Sequence, residues 1–125
     1  MKSKSKKEDK IVLTLTEEQA KVVSIACEFY MRMRCGQFFN LIEHTLDAKD
    51  VDTFCKRRDK AEELLLKVRE QLLPELHGIG HSYGIGKFKD ADMAYDVHQV
   101  IRTIMGDERP PFSYYPLPKC ERVKG

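Results

Sequence analysis

Aromatic rings, carboxylates and guanidiniums gather in the C-terminal half of this 125-residue chain. Tyr83 stands in the glycine-rich run His77-Gly78-Ile79-Gly80-His81-Ser82-Tyr83-Gly84-Ile85-Gly86. Its flat ring is a stacking surface in a backbone free to approach a ligand closely. Asp90 or Asp92, just downstream, can accept from an amino group or a ribose hydroxyl. Arg102, Arg109, Lys119 and Arg122 can supply the charged donors that a phosphate or pyrophosphate needs. Tyr95, His98 and Gln99 share a face with Asp92 and Arg102 when residues 90–105 are wound as a helix. The set suits a nucleotide, and it also suits a protein interface. A plainer role for Tyr83 stays open: packing on Phe88 or the core and holding the loop shut.

Catalysis finds less support. The chain has no nucleophile-elbow pattern, no H-E-x-x-H and no P-loop. Its glycine run does not read G-x-G-x-x-G after a strand, so it is no dinucleotide fingerprint. His77 and His81 are four apart, but the glycines between them disfavour one helical face, and no third ligand is suggested. Cys27, Cys35, Cys55 and Cys120 show no C-x-x-C spacing, and a cysteine nucleophile needs a positioned histidine. The expectation is a binding protein, not an enzyme, with no metal and no cofactor.

The elements that must position these groups are mostly helical. Lys10–Leu15 is rich in β-branched residues and reads as a short strand. Thr16 then caps a helix over 17–34, with Gln19 placed to complete a capping box and Glu17 and Glu18 at the positive end of the dipole. Gly36 interrupts it, and a second helical pattern covers 37–46. A third helix runs from about Asp52 to Leu73, stopped by Pro74, with Phe54, Ala61, Leu65, Val68 and Leu72 as its stripe. Its cluster Lys56, Arg57, Arg58 and Lys60 reads as a solvated face, with an anion site the weaker alternative. The fourth helix, 90–105, has Met93, Val97, Val100, Ile101 and Ile104 on its core side, and Gly106 as a C-cap. Extended pieces at 112–115 and 120–123 would pair with the first strand. The fold class expected is mainly α with a small antiparallel β-sheet (α+β), about four helices and strands from the two termini.

The chain's 22 basic and 20 acidic residues include five lysines, Glu8 and Asp9 among the first ten, which leaves 17 and 18 and a net of −1 on the body. Such a body does not suit DNA. Residues 1–9 read as a disordered basic tail and 10–125 as one ligand-binding domain. No stretch approaches the roughly 20 apolar residues that span a bilayer, no secretory pattern is seen, and a membrane partner is not expected. Free thiols fit a reducing cytosol.

Three segments carry a resemblance. They are Leu13-Thr14-Leu15-Thr16-Glu17-Glu18-Gln19 with Gly36-Gln37-Phe38, then Ser82-Tyr83-Gly84-Ile85-Gly86 with Ala94-Tyr95-Asp96-Val97-His98-Gln99-Val100-Ile101-Arg102, and last Pro116-Leu117-Pro118-Lys119. Together they are similar to the Thoeris anti-defence 1 family, phage proteins that sequester cyclic ADP-ribose signals made by bacterial TIR-domain enzymes. The resemblance spans roughly residues 11–123. It implies a homo-oligomer, dimer or hexamer, in the cytoplasm of the infected bacterial host, that holds its ligand uncleaved in pockets shared between protomers. For some relatives it implies a second site for cyclic oligonucleotides. The family's loop aromatic falls on Tyr83, its polar residue downstream on Asp90 or Asp92, and its C-terminal arginines on Arg109 and Arg122. An aspartate where relatives use an amide changes what that contact can donate. The competing class is a small phage regulatory protein acting through a protein–protein interface around Tyr95 and Arg102, with a nucleotide hydrolase behind it.

Overall fold

Thr16 and Gln19 start the first helix as their types demand. Thr16 Oγ1 accepts from the Gln19 N–H at 3.1 Å, and Gln19 Oε1 accepts from the Thr16 N–H at 3.0 Å. In the computed structural model, which describes residues 8–125, four helices follow: α1 Glu17–Arg34, α2 Asn40–Thr45, α3 Val51–Leu72 and α4 Lys89–Ile104. The stretch expected to be a disordered tail lies, up to position 7, outside the described residues.

Gly36 ends α1 with φ +88, a conformation that side chains rarely tolerate. A Cβ there would also strike Leu76 Cδ1, so the chain turns back tightly beneath that leucine. Residues 37–39 form turns, with the Asn40 N–H on Gln37 O at 3.1 Å, which shortens α2 relative to its sequence pattern. Asp50 caps α3 by accepting from the Thr53 N–H at 2.8 Å, and Pro74 lies just beyond its end. The principal packing is α1 on α4, around Met31, Cys35 and Ala91. Tyr83, Phe88 and Tyr95 lean against that cluster. α2 touches α1 and α3. The only residue α3 buries is an arginine, Arg69, while Leu64, Val68 and Leu72 stay exposed on one stripe.

The expected small sheet is absent: no strand occurs among the described residues. Residues 10–15 are neither helix nor strand and are largely exposed, with Ile11 at 96%. A strand is held by its neighbour's backbone, and the proposed neighbour is already engaged. The Phe112 N–H donates to Gln99 Oε1 at 2.8 Å and its C=O accepts from Gln99 Nε2 at 2.7 Å, and the Tyr115 N–H donates to Ser113 Oγ at 3.0 Å. The fold is therefore mainly helical without a sheet, and β-branched composition at 10–15 does not make a strand alone.

A second departure concerns α4. Met93, placed by periodicity in the core stripe, is exposed, whereas Asp92, Asp96 and Gln99 are buried. Part of the polar face points inward because loop and tail backbone lie over it.

Candidate ligand cleft and its surroundings

Each residue singled out from the sequence has a definite place. Tyr83 is half-buried, with its ring edge-on to Phe88 at 5.3 Å and Lys87 Nζ 4.9 Å from its centroid. Its hydroxyl donates to Glu75 and its N–H to Cys35 O at 2.8 Å. That hydroxyl bond pulls the Glu75 carboxyl below its ordinary range and pushes the tyrosine up. Tyr83 thus ties the glycine loop to the end of α1 and to the turn after α3.

Asp92 and Gln99 act on backbone. Both carboxylate oxygens of Asp92 accept from the Gly86 N–H, at 3.0 and 3.1 Å. Gly86 has φ +97, so Asp92 fixes the loop where only glycine bends this way. Gln99 holds Phe112 as described, and Asp96 accepts from Ser113 Oγ at 2.7 Å. Burial raises the Asp96 carboxyl, with the nearby Asp92 charge adding to it against the Ser113 bond. The three side chains staple the loop and the C-terminal segment to α4.

The charged residues are spread out. Asp90 accepts from Tyr30 Oη at 2.7 Å and Arg34 Nε at 3.3 Å, and the Tyr30 bond chiefly lowers its carboxyl. Arg102 and Arg109 share Asp107, at 3.6 and 2.6 Å, and the Arg109 bonds hold that carboxyl far below its ordinary range. Arg122 reaches Glu17 at 2.9 Å. Tyr95 stacks on His98 with centroids 5.6 Å apart. His98 Nδ1 lies 2.8 Å from Ser24 Oγ, and its Nε2 lies 3.5 Å from Glu28 Oε2. This serine–histidine–glutamate chain has the types of a hydrolytic triad. Ser24 is buried between α1 and α4, however, and its hydroxyl also lies 3.3 Å from His98 O, so it ties the two helices together.

A concave region lies elsewhere. A cleft of about 390 Å³ opens between the α1–α2 turn, α3 and the glycine loop. That is within the roughly 300–1,000 Å³ of small-molecule sites. Phe38, Phe39 and Leu65 supply apolar wall, and Arg32, Asn40 and Arg69 supply polar wall. Of the sequence-singled stretch, Ile79, Gly80, His81 and Ser82 line it, while none of the eight residues first picked as ligand contacts does. Arg69 is 5% exposed and donates to the carbonyls of His81, at 2.9 Å, and Gly78. No carboxylate pairs with it among the described residues. Arg32 donates to Gln37 Oε1 at 2.7 Å and to Glu28 at 3.4 Å, but its buried Nε has no acceptor. Asn40 Oδ1 is also buried and unpartnered.

Arg32, Asn40 and Arg69 lie before Tyr83, ahead of the C-terminal stretch whose aromatic, acidic and arginine groups point to a ligand in the sequence. Arg69 did leave a signal. It falls four residues after Leu65 and three before Leu72, inside the apolar stripe of α3, where a cation must be satisfied by something. Among the described residues no group of three or more possible metal ligands occurs, and no helix is long and apolar enough to cross a membrane. Comparison with protein-family models, with curated proteins and with solved structures finds no match.

Proposed function

We propose that this protein is a sponge for a phosphate-bearing nucleotide signal of the cyclic ADP-ribose type, which it binds in the cleft and holds uncleaved. The observation that carries the reading is Arg69. A guanidinium stays charged at all working pH, and a buried charge is normally paired. Among the described residues Arg69 has two backbone carbonyls and no carboxylate as partners, beside a cleft of about 390 Å³. A phosphate entering there would supply the missing counter-charge, and Phe38 and Phe39 are among the residues that line the cleft. The resemblance of the loop and α4 segments to the Thoeris anti-defence 1 family points to the same ligand class. It places such a protein in the cytoplasm of an infected bacterium, where removing the signal would block Thoeris immunity. Capture of cyclic oligonucleotides at another place belongs to the same proposal.

Self-association is part of it. Leu64, Val68 and Leu72 form an exposed apolar stripe on α3, and Ile11, Val12 and Leu13 are exposed as well. Apolar surface of this kind marks contacts between chains. The same stripe favours the second reading, a regulatory protein acting through a protein interface.

Purified protein incubated with a cyclic ADP-ribose isomer and then heated separates the readings. The expected result is uptake followed by release of the unaltered ligand. An altered product would make the protein an enzyme, and absence of uptake would leave the interface reading.

A further inference from the structure

α3 packs on α2 and comes close to neither α1 nor α4, so one side of it stays open. That side carries Leu64, Val68 and Leu72, all exposed, with Phe54, Ala61 and Leu65 half-buried along the same line. Its charges are sorted around the helix. At about 100° per residue, Arg57, Lys60 and Lys67 fall within a right angle of the line midway between Leu64 and Val68, and Lys56 and Arg58 lie just beyond. The five carboxylates of α3, Asp52, Asp59, Glu62, Glu63 and Glu70, all fall about 120° or more from that line. The open side is thus an apolar stripe bordered by cations, with the carboxylates behind it.

These cations are weakly engaged. Among the described residues Lys56 and Arg57 have no carboxylate partner. Lys60 and Lys67 share Glu63 at 3.7 and 3.9 Å, and Arg58 meets its neighbour Asp59 at 3.2 Å. Exposed pairs of this kind contribute little, so the side chains stay free to meet another charge.

We infer that the open side of α3 is a docking face for an acidic amphipathic helix of another protein. The shape and charge of the stripe select that occupant. The stripe is narrow, because Leu65, Leu66 and Arg69 line the cleft on one flank and cations stand on the other. A bilayer surface takes a broad apolar arc, whereas one helix fills a stripe. A nucleic-acid backbone rewards the cations but has no use for the leucines. Two copies of this chain laid stripe on stripe would set cation against cation, which leaves Ile11, Val12 and Leu13 as the apolar residues for contact between copies. A partner helix with apolar residues every three or four positions would cover Leu64, Val68 and Leu72. Carboxylates along its edge would meet Arg57, Lys60 and Lys67. None of these six residues lines the cleft, so the inference is independent of the nucleotide reading.

The test uses the unmodified protein and a fluorescein-labelled peptide of three heptads, with leucine at the two seam positions and glutamate at the flanking ones. A second peptide carries lysine in place of glutamate. Fluorescence anisotropy should show the glutamate peptide binding about tenfold or more tighter than the lysine peptide. Arg57→Glu combined with Lys60→Glu and Lys67→Glu, checked for its fold by circular dichroism, should reverse that order. Equal binding of the two peptides, or an unchanged order in the variant, overturns the inference. Binding of phosphatidylserine vesicles but of neither peptide would make this a membrane face. Loss of self-association in the variant, read by light scattering, would make the occupant a second copy, and either result overturns the inference too.

Discussion

Replacing Arg69 by methionine keeps most of the stem volume and removes the guanidinium. Two charge-assisted hydrogen bonds, to the carbonyls of Gly78 and His81, are lost. Bonds to a charged group contribute about 1.5–3 kcal/mol each, so their loss alone would cost roughly 3–6 kcal/mol. Two effects reduce that figure. Gly78 and His81 are exposed, so water can take over their carbonyls, and the desolvation of a buried, unpaired cation, itself several kcal/mol, disappears. The net change in stability should therefore stay within about 2 kcal/mol. At this chain length that is a shift in melting temperature of no more than roughly 10 °C. Binding has no such compensation. A phosphate that loses its cation forfeits about 1.5–3 kcal/mol, or roughly tenfold to a hundredfold in affinity. Differential scanning calorimetry and ligand titration on the same Arg69→Met preparation give both numbers. A melting temperature lowered by 15 °C or more with affinity unchanged would make Arg69 a loop latch only, and the argument from its missing counter-charge would fail.

Gly36→Ala should destabilise by about 2–4 kcal/mol, since φ +88 is strained for alanine and its Cβ meets Leu76; chemical denaturation measures it. Gln99→Leu should cost about 1–2 kcal/mol and release the C-terminal segment, seen as faster amide exchange at Phe112. Asp96 has a raised folded-state pKa, so its contribution to stability is present below the ordinary carboxylate range and is lost as pH rises through the raised value. Asp96→Asn should accordingly stabilise at neutral pH, with the gain vanishing in acid; melting curves across pH would contradict this if the gain were the same at both ends.

The helices were legible because their signals are local. The Thr16–Gln19 capping box, Pro74 after α3 and the stops at Gly36 and Gly106 all act within a few residues of the elements they bound. The glycine loop was legible as a place where backbone bends freely, and its His81 and Ser82 do line the cleft. What could not be read is partnership at long range. Residues 10–15 have strand composition, but whether they form a strand depends on a neighbour's backbone, and Gln99 had taken the Phe112 backbone first. Asp92 and Gln99 have the right types to grip a ligand, yet tertiary packing turned them onto Gly86 and Phe112. Arg69 stands in the apolar stripe of α3, but its surroundings are not written there. Only the return of the chain over α3 buried it against two carbonyls and left a cation without a counter-ion beside the cleft. Local periodicity determined where the helices run; which side chains face the loop, the tail or open space was decided by contacts between residues far apart in the chain.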